Sequence, residues 1–267
     1  MTSRDVPVVR VGPTGRREAR DLTAVEEPLQ IRLDGEAFAV VMRTPGADRE
    51  LVAGFLFAER VVRSADDLAE LRTEEPRLDR PHNVAEVRLG SNGRPPAHVP
   101  ARRVTSNASC GVCGRQTIES LTAGVPPVMS RWTVGAACVS ALPLRMRQSQ
   151  HGFATTGGLH AAALFGRDGE LEAIAEDVGR HNAVDKVVGG ALLGARLPLA
   201  DSMLCVSGRA SYEIVQKALL AGIPIVAAVS APSTLAIDLA STSGITLVGF
   251  VRDGGFNVYT HPERIVP

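Results

Sequence analysis

Two cysteines stand three positions apart in a glycine-rich stretch, and their side chains are the most reactive in the sequence. Cys110 and Cys113 are separated by Gly111 and Val112, and Gly114 follows. Glycine-rich flanks leave the sulfur atoms accessible, and a helix beginning just after them would lower the pKa of a thiol. Because the thiolate is the species that forms disulfides and persulfides, the pair predicts sulfur or redox chemistry.

Four uses of this C-x-x-C pair are open at this point, besides an inert pair. Structural zinc normally takes four ligands, and the other cysteines, Cys138 and Cys205, are isolated, so we expect no tightly bound zinc. A thioredoxin-like pair should follow a strand, whereas this one follows a proline-rich stretch. Zinc deaminases combine such a pair with a His-x-Glu motif, but here His160 is followed by Ala161 and Ala162, so the glutamate that this chemistry needs is missing. A persulfide carrier on a mobile loop fits these residues best.

A second group of polar residues stands in a predicted helix over 178–193. His181 and Asp185 are four positions apart, so they share a helix face and the carboxylate could orient the imidazole. Arg180 precedes the histidine, and His160 could line the same cleft. Instead of a functional site, the helix could simply have an acidic N-terminal cap and a solvent-exposed polar face. His160 could equally be a buried core residue with its hydrogen bonds satisfied.

Three loops at the ends of predicted strands mix small and polar residues. They cover 207–211 (SGRAS), 230–234 (SAPST) and 252–256 (RDGGF). In α/β sheets ligands bind beyond the carboxyl ends of strands, where the N-termini of the following helices favour anions. Arg209 and Arg252 are therefore candidate phosphate contacts, although plain turns are the alternative. The Walker pattern for a phosphate loop is absent.

The C-terminal half alternates between strands and helices that would position these loops. Strands are predicted at 161–165, 170–174, 203–206, 223–229, 245–251 and 257–260, and helices at 178–193, 210–221 and 233–241. The strands are apolar throughout, which predicts a parallel or mixed sheet with helices on its faces. Cys205 lies mid-strand and Cys138 lies among small apolar residues, so both are expected to be buried.

The N-terminal half predicts a smaller β-rich portion. LQIRL and AFAVVMRT alternate around Asp34-Gly35, which predicts a hairpin over 29–44, and a helix at 50–59 and a strand at 84–89 follow. The polar stretch 1–27 is expected to be a flexible arm, without a secretory signal. The expected organisation is an arm at 1–27, an α+β portion at 28–104, a mobile C-x-x-C loop at 105–114 and an α/β cofactor-binding domain at 115–267.

Composition excludes several classes of protein. Hydrophobic residues make up 45% of the chain, which excludes wholesale disorder. The 29 basic residues balance 29 acidic ones, so the chain lacks the overall positive charge that is typical of nucleic-acid-binding proteins. The most apolar window, 218–231, is too short to span a bilayer and contains Pro224. The sequence therefore predicts a cytoplasmic protein, in which cysteines are thiols, ligands or catalysts rather than structural disulfides.

Four stretches of the chain together resemble the FdhD family. They are the cysteine loop, EDVGRHNAVDK (176–186), SGRASYEIVQKA (207–218) and GFVRDGGFNVYTHPERI (249–265). The resemblance implies a cytidine-deaminase-like fold, with a mixed sheet and flanking helices. It also implies a sulfur carrier that takes persulfide sulfur from a cysteine desulfurase and delivers it to the molybdenum bis(molybdopterin guanine dinucleotide) cofactor of formate dehydrogenase.

The resemblance also assigns roles by position. Cys110 would bear the persulfide, with Cys113 as its motif partner. The family's cofactor-binding stretch corresponds to Phe250, Val251, Arg252, Asp253, Gly254 and Gly255. Some relatives have a second basic residue where Gly254 and Gly255 stand, so anion affinity here would depend more on Arg252 and backbone amides. We expect four further contacts with the cofactor, from Ser207, Arg209, Arg180 and His181.

The expected partners follow from these roles. They are a cysteine desulfurase, formate dehydrogenase, the molybdenum cofactor as cargo and GDP as a mimic of one end of it, without nucleic acid or membrane. The oligomeric state, including a homodimer, is left open. The alternative function is a chaperone for the cofactor in which the cysteines only gate access or sense redox state.

Overall fold

The computed structural model describes residues 2–73, 83–91, 93, 105–106, 125–252 and 254–267. Cys110, Cys113 and Asp253 lie outside these residues, as does most of the predicted loop at 105–114. The expectations for them therefore remain predictions.

Strands outnumber α-helices in the described chain, and the two alternate strictly only over 171–252. In chain order the strands are β1 (Ser3–Gly12), β2 (Gly15–Ala24), β3 (Glu27–Leu33), β4 (Glu36–Arg43), β5 (Leu68–Thr73), β6 (Val84–Leu89), β7 (Thr105–Ser106), β8 (Val134–Gly135), β9 (His160–Phe165), β10 (Leu171–Asp177), β11 (Met203–Val206), β12 (Ile225–Ala228), β13 (Thr246–Arg252), β14 (Gly255–Thr260) and β15 (Ile265–Val266). The α-helices are α1 (Asp48–Ala58), α2 (Ala136–Gln148), α3 (His151–Thr156), α4 (Arg180–Leu193), α5 (Tyr212–Ala221) and α6 (Thr234–Thr242).

A six-stranded mixed sheet forms the centre of the C-terminal half, in the order β10-β9-β11-β12-β13-β14. Strands β11, β12 and β13 run parallel, whereas β9, β10 and β14 pair antiparallel with their neighbours. The short strands β11 and β12 are buried along their whole length, because helices cover both faces of the sheet. The predicted α/β class and mixed sheet are confirmed.

A five-stranded sheet, in the order β5-β6-β3-β4-β7, forms the N-terminal half. The predicted hairpin is β3 and β4, which pair antiparallel. Asp34 and Gly35 occupy its turn with φ of 48° and 87°, the left-handed conformation that Asp-Gly turns supply. The predicted strand at 84–89 is β6.

Helices α1 and α4 join the two halves through a close glycine contact. A Cβ atom added to Gly54 would lie 1.9 Å from the Asp185 carbonyl oxygen, and one added to Gly189 would lie 1.9 Å from that of Glu50. One buried cluster includes Ile31 of the N-terminal sheet together with core residues of the central sheet. The two sheets thus share a continuous hydrophobic core, and α4 lies in its middle.

The N-terminal segment, expected to be a flexible arm, contains two strands. Strands β1 and β2 pair antiparallel across ten positions and form a long hairpin. Most of their side chains are exposed and none is buried, so these strands need no alternation of apolar and polar residues, which is the signal that predicts a strand from sequence. This hairpin was not predicted from the sequence for that reason, and the flexibility of the arm stays a prediction.

Candidate functional site

The carboxyl ends of β11, β12 and β13 lie side by side at one edge of the central sheet. The amide of Ser230 donates to the Gly208 carbonyl oxygen at 3.3 Å, and the amide of Phe250 donates to the Ser230 carbonyl oxygen at 3.2 Å. The three loops predicted from sequence therefore form one continuous surface. Ser207 closes it on the β9 side, because its hydroxyl accepts from the Ala161 amide at 2.9 Å.

Asp177 fixes the start of α4 beside this edge. One carboxylate oxygen accepts from the Gly179 amide and from the Asn182 side chain, both at 2.8 Å. The other accepts from the Thr44 amide at 3.1 Å and lies 2.8 Å from Lys186 Nζ. Asp177 is fully buried, and leaving such a charge unpaired would cost several kcal/mol, on the order of 3–5. The network therefore holds the first turn of α4, which carries Arg180, in one position.

The imidazole of His181 pairs with a carboxylate on the next helix. Its Nε2 lies 2.8 Å from Oε2 of Glu213 on α5 and 3.3 Å from the Ser211 hydroxyl. Asp185, predicted to orient this ring, instead forms a buried ion pair with Lys217. Burial raises the pKa of the Asp185 carboxyl, and the Lys217 ammonium opposes that shift. The predicted partner of His181 was therefore wrong.

His160 and Arg180 face each other across Gly208. A Cβ atom on Gly208 would lie 3.5 Å from His160 Nδ1 and 3.6 Å from Arg180 Cδ. Burial lowers the pKa of His160, the nearby Arg180 and His181 side chains lower it further, and Asp177 opposes the shift. The imidazole of His160 is thus held in its neutral form near pH 7. Both predicted residues of α4, Arg180 and His181, lie beside the Ser207 loop.

The predicted stretch 250–255 has mixed exposure. Phe250 is exposed and has a φ of 54°, an uncommon conformation for an aromatic residue and typical of a functional loop. Val251 is fully buried in the core, so only its backbone could contact a ligand. Arg252 is exposed and pairs with Gly255 across the turn between β13 and β14, where Gly254 has a φ of 92°. The exposed Arg209 lies on the loop after β11, and the 230–234 loop separates it from this stretch.

Both cysteines in the described part of the chain were predicted to be buried, and they are buried to different extents. Cys205 is fully buried in β11, and burial raises the pKa of its thiol to about 12. Cys138 is partly buried, and burial raises the pKa of its thiol, opposed by Arg145. Neither thiol therefore ionises readily. Within the described ranges, no cluster of three or more His, Cys, Asp or Glu side chains could hold a metal ion.

Comparison with known proteins assigns the chain to a family. The sequence pattern of the FdhD/NarQ family matches residues 24–266. The chain belongs to the FdhD/NarQ family. It is 49% identical over 250 residues to "Sulfur carrier protein FdhD" of Mycobacterium tuberculosis, which covers 91% of each chain. The protein of the same name from Streptomyces coelicolor is 47% identical over 268 residues, which covers 97% of this chain and 94% of that one.

A solved structure extends the similarity to the fold. A crystal structure from Desulfotalea psychrophila, described as that of a formate dehydrogenase accessory protein, superposes with a TM-score of 0.78. It is 28% identical and covers the whole of both chains. None of the described helices of the present FdhD/NarQ member is long and apolar enough to cross a membrane.

Sequence reasoning missed two residues that shape this FdhD/NarQ site. Glu213 lies on an apolar helix 32 positions from His181, and no local spacing connects the two. Thr44 binds the Asp177 network through its amide and its carbonyl oxygen, the latter accepting from Lys186 Nζ at 2.9 Å over 142 positions. Only the packing of α4 between the two sheets brings these groups together.

Proposed function

We propose that this protein is a sulfur carrier for formate dehydrogenase, with Cys110 as the residue that bears the sulfur. The observation that carries the proposal is the 49% identity, over 91% of both chains, to a protein named as a sulfur carrier. In the proposed reaction the chain accepts persulfide sulfur from a cysteine desulfurase. It then delivers that sulfur to the molybdenum bis(molybdopterin guanine dinucleotide) cofactor.

The chemistry of loading favours a cysteine that ionises readily. The Cys110 thiolate attacks the terminal sulfur of the donor persulfide, a new S–S bond forms, and the donor cysteine leaves as a thiolate. No external oxidant or reductant is needed, because one S–S bond replaces another. Cys205 and Cys138 are poor candidates for the attacking group, since burial raises the pKa of both. Cys110, next to Gly111 and close to Cys113, is the better candidate.

The edge of the central sheet is the proposed place for the cargo. Ser207 and Arg209 lie on the loop after β11, and Phe250 and Arg252 lie at the end of β13, two strands along the same sheet. Backbone amides, guanidinium groups and an exposed aromatic ring are suited to a phosphorylated, purine-containing ligand. GDP reproduces one end of the cofactor and is therefore the probe that we expect to bind here.

Intact mass measurement after incubation with a cysteine desulfurase and cysteine tests the proposal. We expect an adduct of about 32 Da, one sulfur atom, that a thiol reductant removes. Cys110→Ala should abolish this adduct and leave formate dehydrogenase inactive in cells, while Cys138→Ala, the control, should load normally. Normal formate dehydrogenase activity with Cys110→Ala would refute the carrier function. A wild-type chain that binds GDP but never takes up sulfur would instead support the chaperone alternative.

A further inference from the structure

A groove runs along the amino edge of the central sheet, opposite the edge that carries the candidate site. One wall is the segment 125–132, which is neither helix nor strand, and the other is formed by the end of α5 and the loops that lead into β11 and β12. Because β11 and β12 run parallel, both of these loops lie at the same edge of the sheet. The groove has a volume of about 760 Å³, enough for a ligand, and it is separate from the proposed cargo surface.

The segment 125–132 is fixed to this edge of the sheet through its backbone. The Val128 amide donates to the Ser243 carbonyl oxygen at 2.8 Å, and the Val128 side chain packs against the core. The Ser130 carbonyl oxygen accepts from the Arg264 guanidinium at 2.9 and 3.1 Å, and Arg264 is itself only 7% exposed. This wall of the groove therefore exists before any ligand arrives, which lowers the entropic cost of binding.

Trp132 completes this wall with its indole ring. Its Nε1 donates to the Ala200 carbonyl oxygen at 2.8 Å, which fixes the orientation of the ring. Cζ of Arg167 lies 5.4 Å from the ring centroid, and the Arg167 guanidinium also pairs with Asp201. Both side chains of that ion pair are more than half exposed, and an exposed pair contributes little to stability. A ligand can therefore displace Arg167 from the ring at low cost.

Apolar side chains line both walls of the groove. Met129 is 77% exposed, Pro127 and Pro198 are exposed on opposite walls, and Leu220 is partly buried. Exposed apolar surface with a polar rim marks an interaction site, and methionine adapts its shape to its partner. Grooves lined by aromatic rings bind proline-containing segments, whose extended conformation is formed before binding. A proline-containing peptide therefore suits this surface.

The charge of the groove selects the kind of peptide. Arg131 is exposed and forms no ion pair with any carboxylate in the described part of the chain. Arg167 and Asp201 balance each other, so the groove has one uncompensated positive charge, which a carboxylate on the ligand would complement. A second copy of the chain is a poorer occupant, because a two-fold interface would bring two such basic surfaces together.

We propose that this groove binds an extended, proline-containing and acidic segment of a partner protein. In the complex Trp132 stacks on one proline ring, Met129 packs against a second, and Arg131 pairs with a carboxylate. The inference goes beyond the proposed function, since it requires neither the sulfur chemistry nor the cargo surface. It gives the protein a second binding surface, at the opposite edge of the central sheet.

Fluorescence titration of the full-length chain with the synthetic peptide PPEPPEPP tests the groove. Trp132 is the only tryptophan in the sequence, so its emission reports on this wall alone. We expect a saturable change in emission with PPEPPEPP, and binding at least about tenfold weaker with PPKPPKPP, in which lysines replace the glutamates. GGEGGEGG, which keeps the charges without the stiff prolines, should bind at least about tenfold weaker as well. A wild-type chain that binds none of the three peptides, or that binds PPKPPKPP as tightly as PPEPPEPP, would overturn the proposal.

Charge reversal distinguishes a specific contact from general attraction. Arg131→Glu should weaken PPEPPEPP binding about tenfold and strengthen PPKPPKPP binding. Arg88→Glu is the matched control, because Arg88 is 76% exposed on β6 of the other sheet, and it should bind both peptides as wild type does. Met129→Ser should weaken PPEPPEPP binding severalfold, whereas Leu144→Ser, at an exposed leucine of α2, should not. All four positions are exposed, so the variants should fold. Peptide affinity that depends equally on Arg131 and Arg88 would refute the groove as the binding site.

Two further measurements test the occupant and the independence of the groove. Sedimentation velocity of wild type and Met129→Ser tests for a second copy: a dimer that Met129→Ser dissociates would assign the groove to that copy and overturn the proposal. Arg131→Glu should bind GDP as wild type does, because the groove and the cargo surface lie at opposite edges of the sheet. Loss of GDP binding in this variant would contradict the separation of the two surfaces.

Discussion

The contact between α1 and α4 depends on glycine, and replacing one glycine should disrupt it. A Cβ at position 189 would lie 1.9 Å from the Glu50 carbonyl oxygen and 2.6 Å from the Gly54 amide nitrogen. Both neighbours are helix backbone, which cannot rotate away as a side chain does. Because carbon and oxygen need roughly 3.4 Å, the two helices would have to separate by about 1.5 Å.

The expected loss of stability in Gly189→Ala follows from two opposing terms. Overpacking of this kind costs up to about 3 kcal/mol, whereas alanine gains about 1 kcal/mol over glycine in a helix interior. We therefore expect the free energy of unfolding to fall by about 2 kcal/mol. Because α4 carries Arg180 and His181, the separation should also weaken GDP binding. Urea denaturation followed by circular dichroism measures the first effect.

The neighbouring residue provides a matched control. A Cβ at position 190 would meet only the Glu50 side chain, at 3.7 Å, which is an ordinary contact. Gly190→Ala should therefore keep or raise stability, by up to about 1 kcal/mol, through helix propensity alone. If Gly189→Ala proves as stable as Gly190→Ala, the close helix contact is not what holds α4 in place.

Three other predictions concern the site and the cysteines. Arg252→Ala should weaken GDP binding by about 1.5–3 kcal/mol in calorimetry and leave sulfur loading at Cys110 intact; unchanged GDP affinity would make the 250–255 turn a plain turn. Because the pKa of His160 is lowered in the folded protein, the unfolded chain binds more protons below about pH 6.5, and the free energy of unfolding should fall as the pH drops from 7 to 5. His160→Gln should reduce that fall in urea titrations, and an identical pH dependence in the variant would contradict this. Cys205 is fully buried and its thiol has a pKa of about 12, so it should resist iodoacetamide at pH 8 in the folded protein and react in urea. Mass spectrometry of the Cys110→Ser/Cys113→Ser variant measures this labelling, and rapid labelling without urea would contradict the burial of Cys205.

Local patterns in the sequence determined many of the elements. Alternating residues around Asp34 and Gly35 predicted the β3–β4 hairpin, because the turn type requires positive φ values that this pair adopts. Gly222 ends α5 in the left-handed conformation, and Ser233 caps α6 through its side chain, both as their residue types indicate. Apolar strands followed by polar loops also predicted that the three loops would lie together at one edge of the central sheet.

Only the tertiary structure decided which polar groups meet. The Thr44 amide reaches Asp177 across 133 positions, and Glu213 replaces Asp185 as the partner of His181. Helical periodicity places His181 and Asp185 on one face, but it contains no information about the helix that packs against that face. The exposed β1–β2 hairpin was missed for the opposite reason, since its strands face no core. Spacing along the chain determines local conformation, whereas the pairing of buried charges depends on which distant elements share the core.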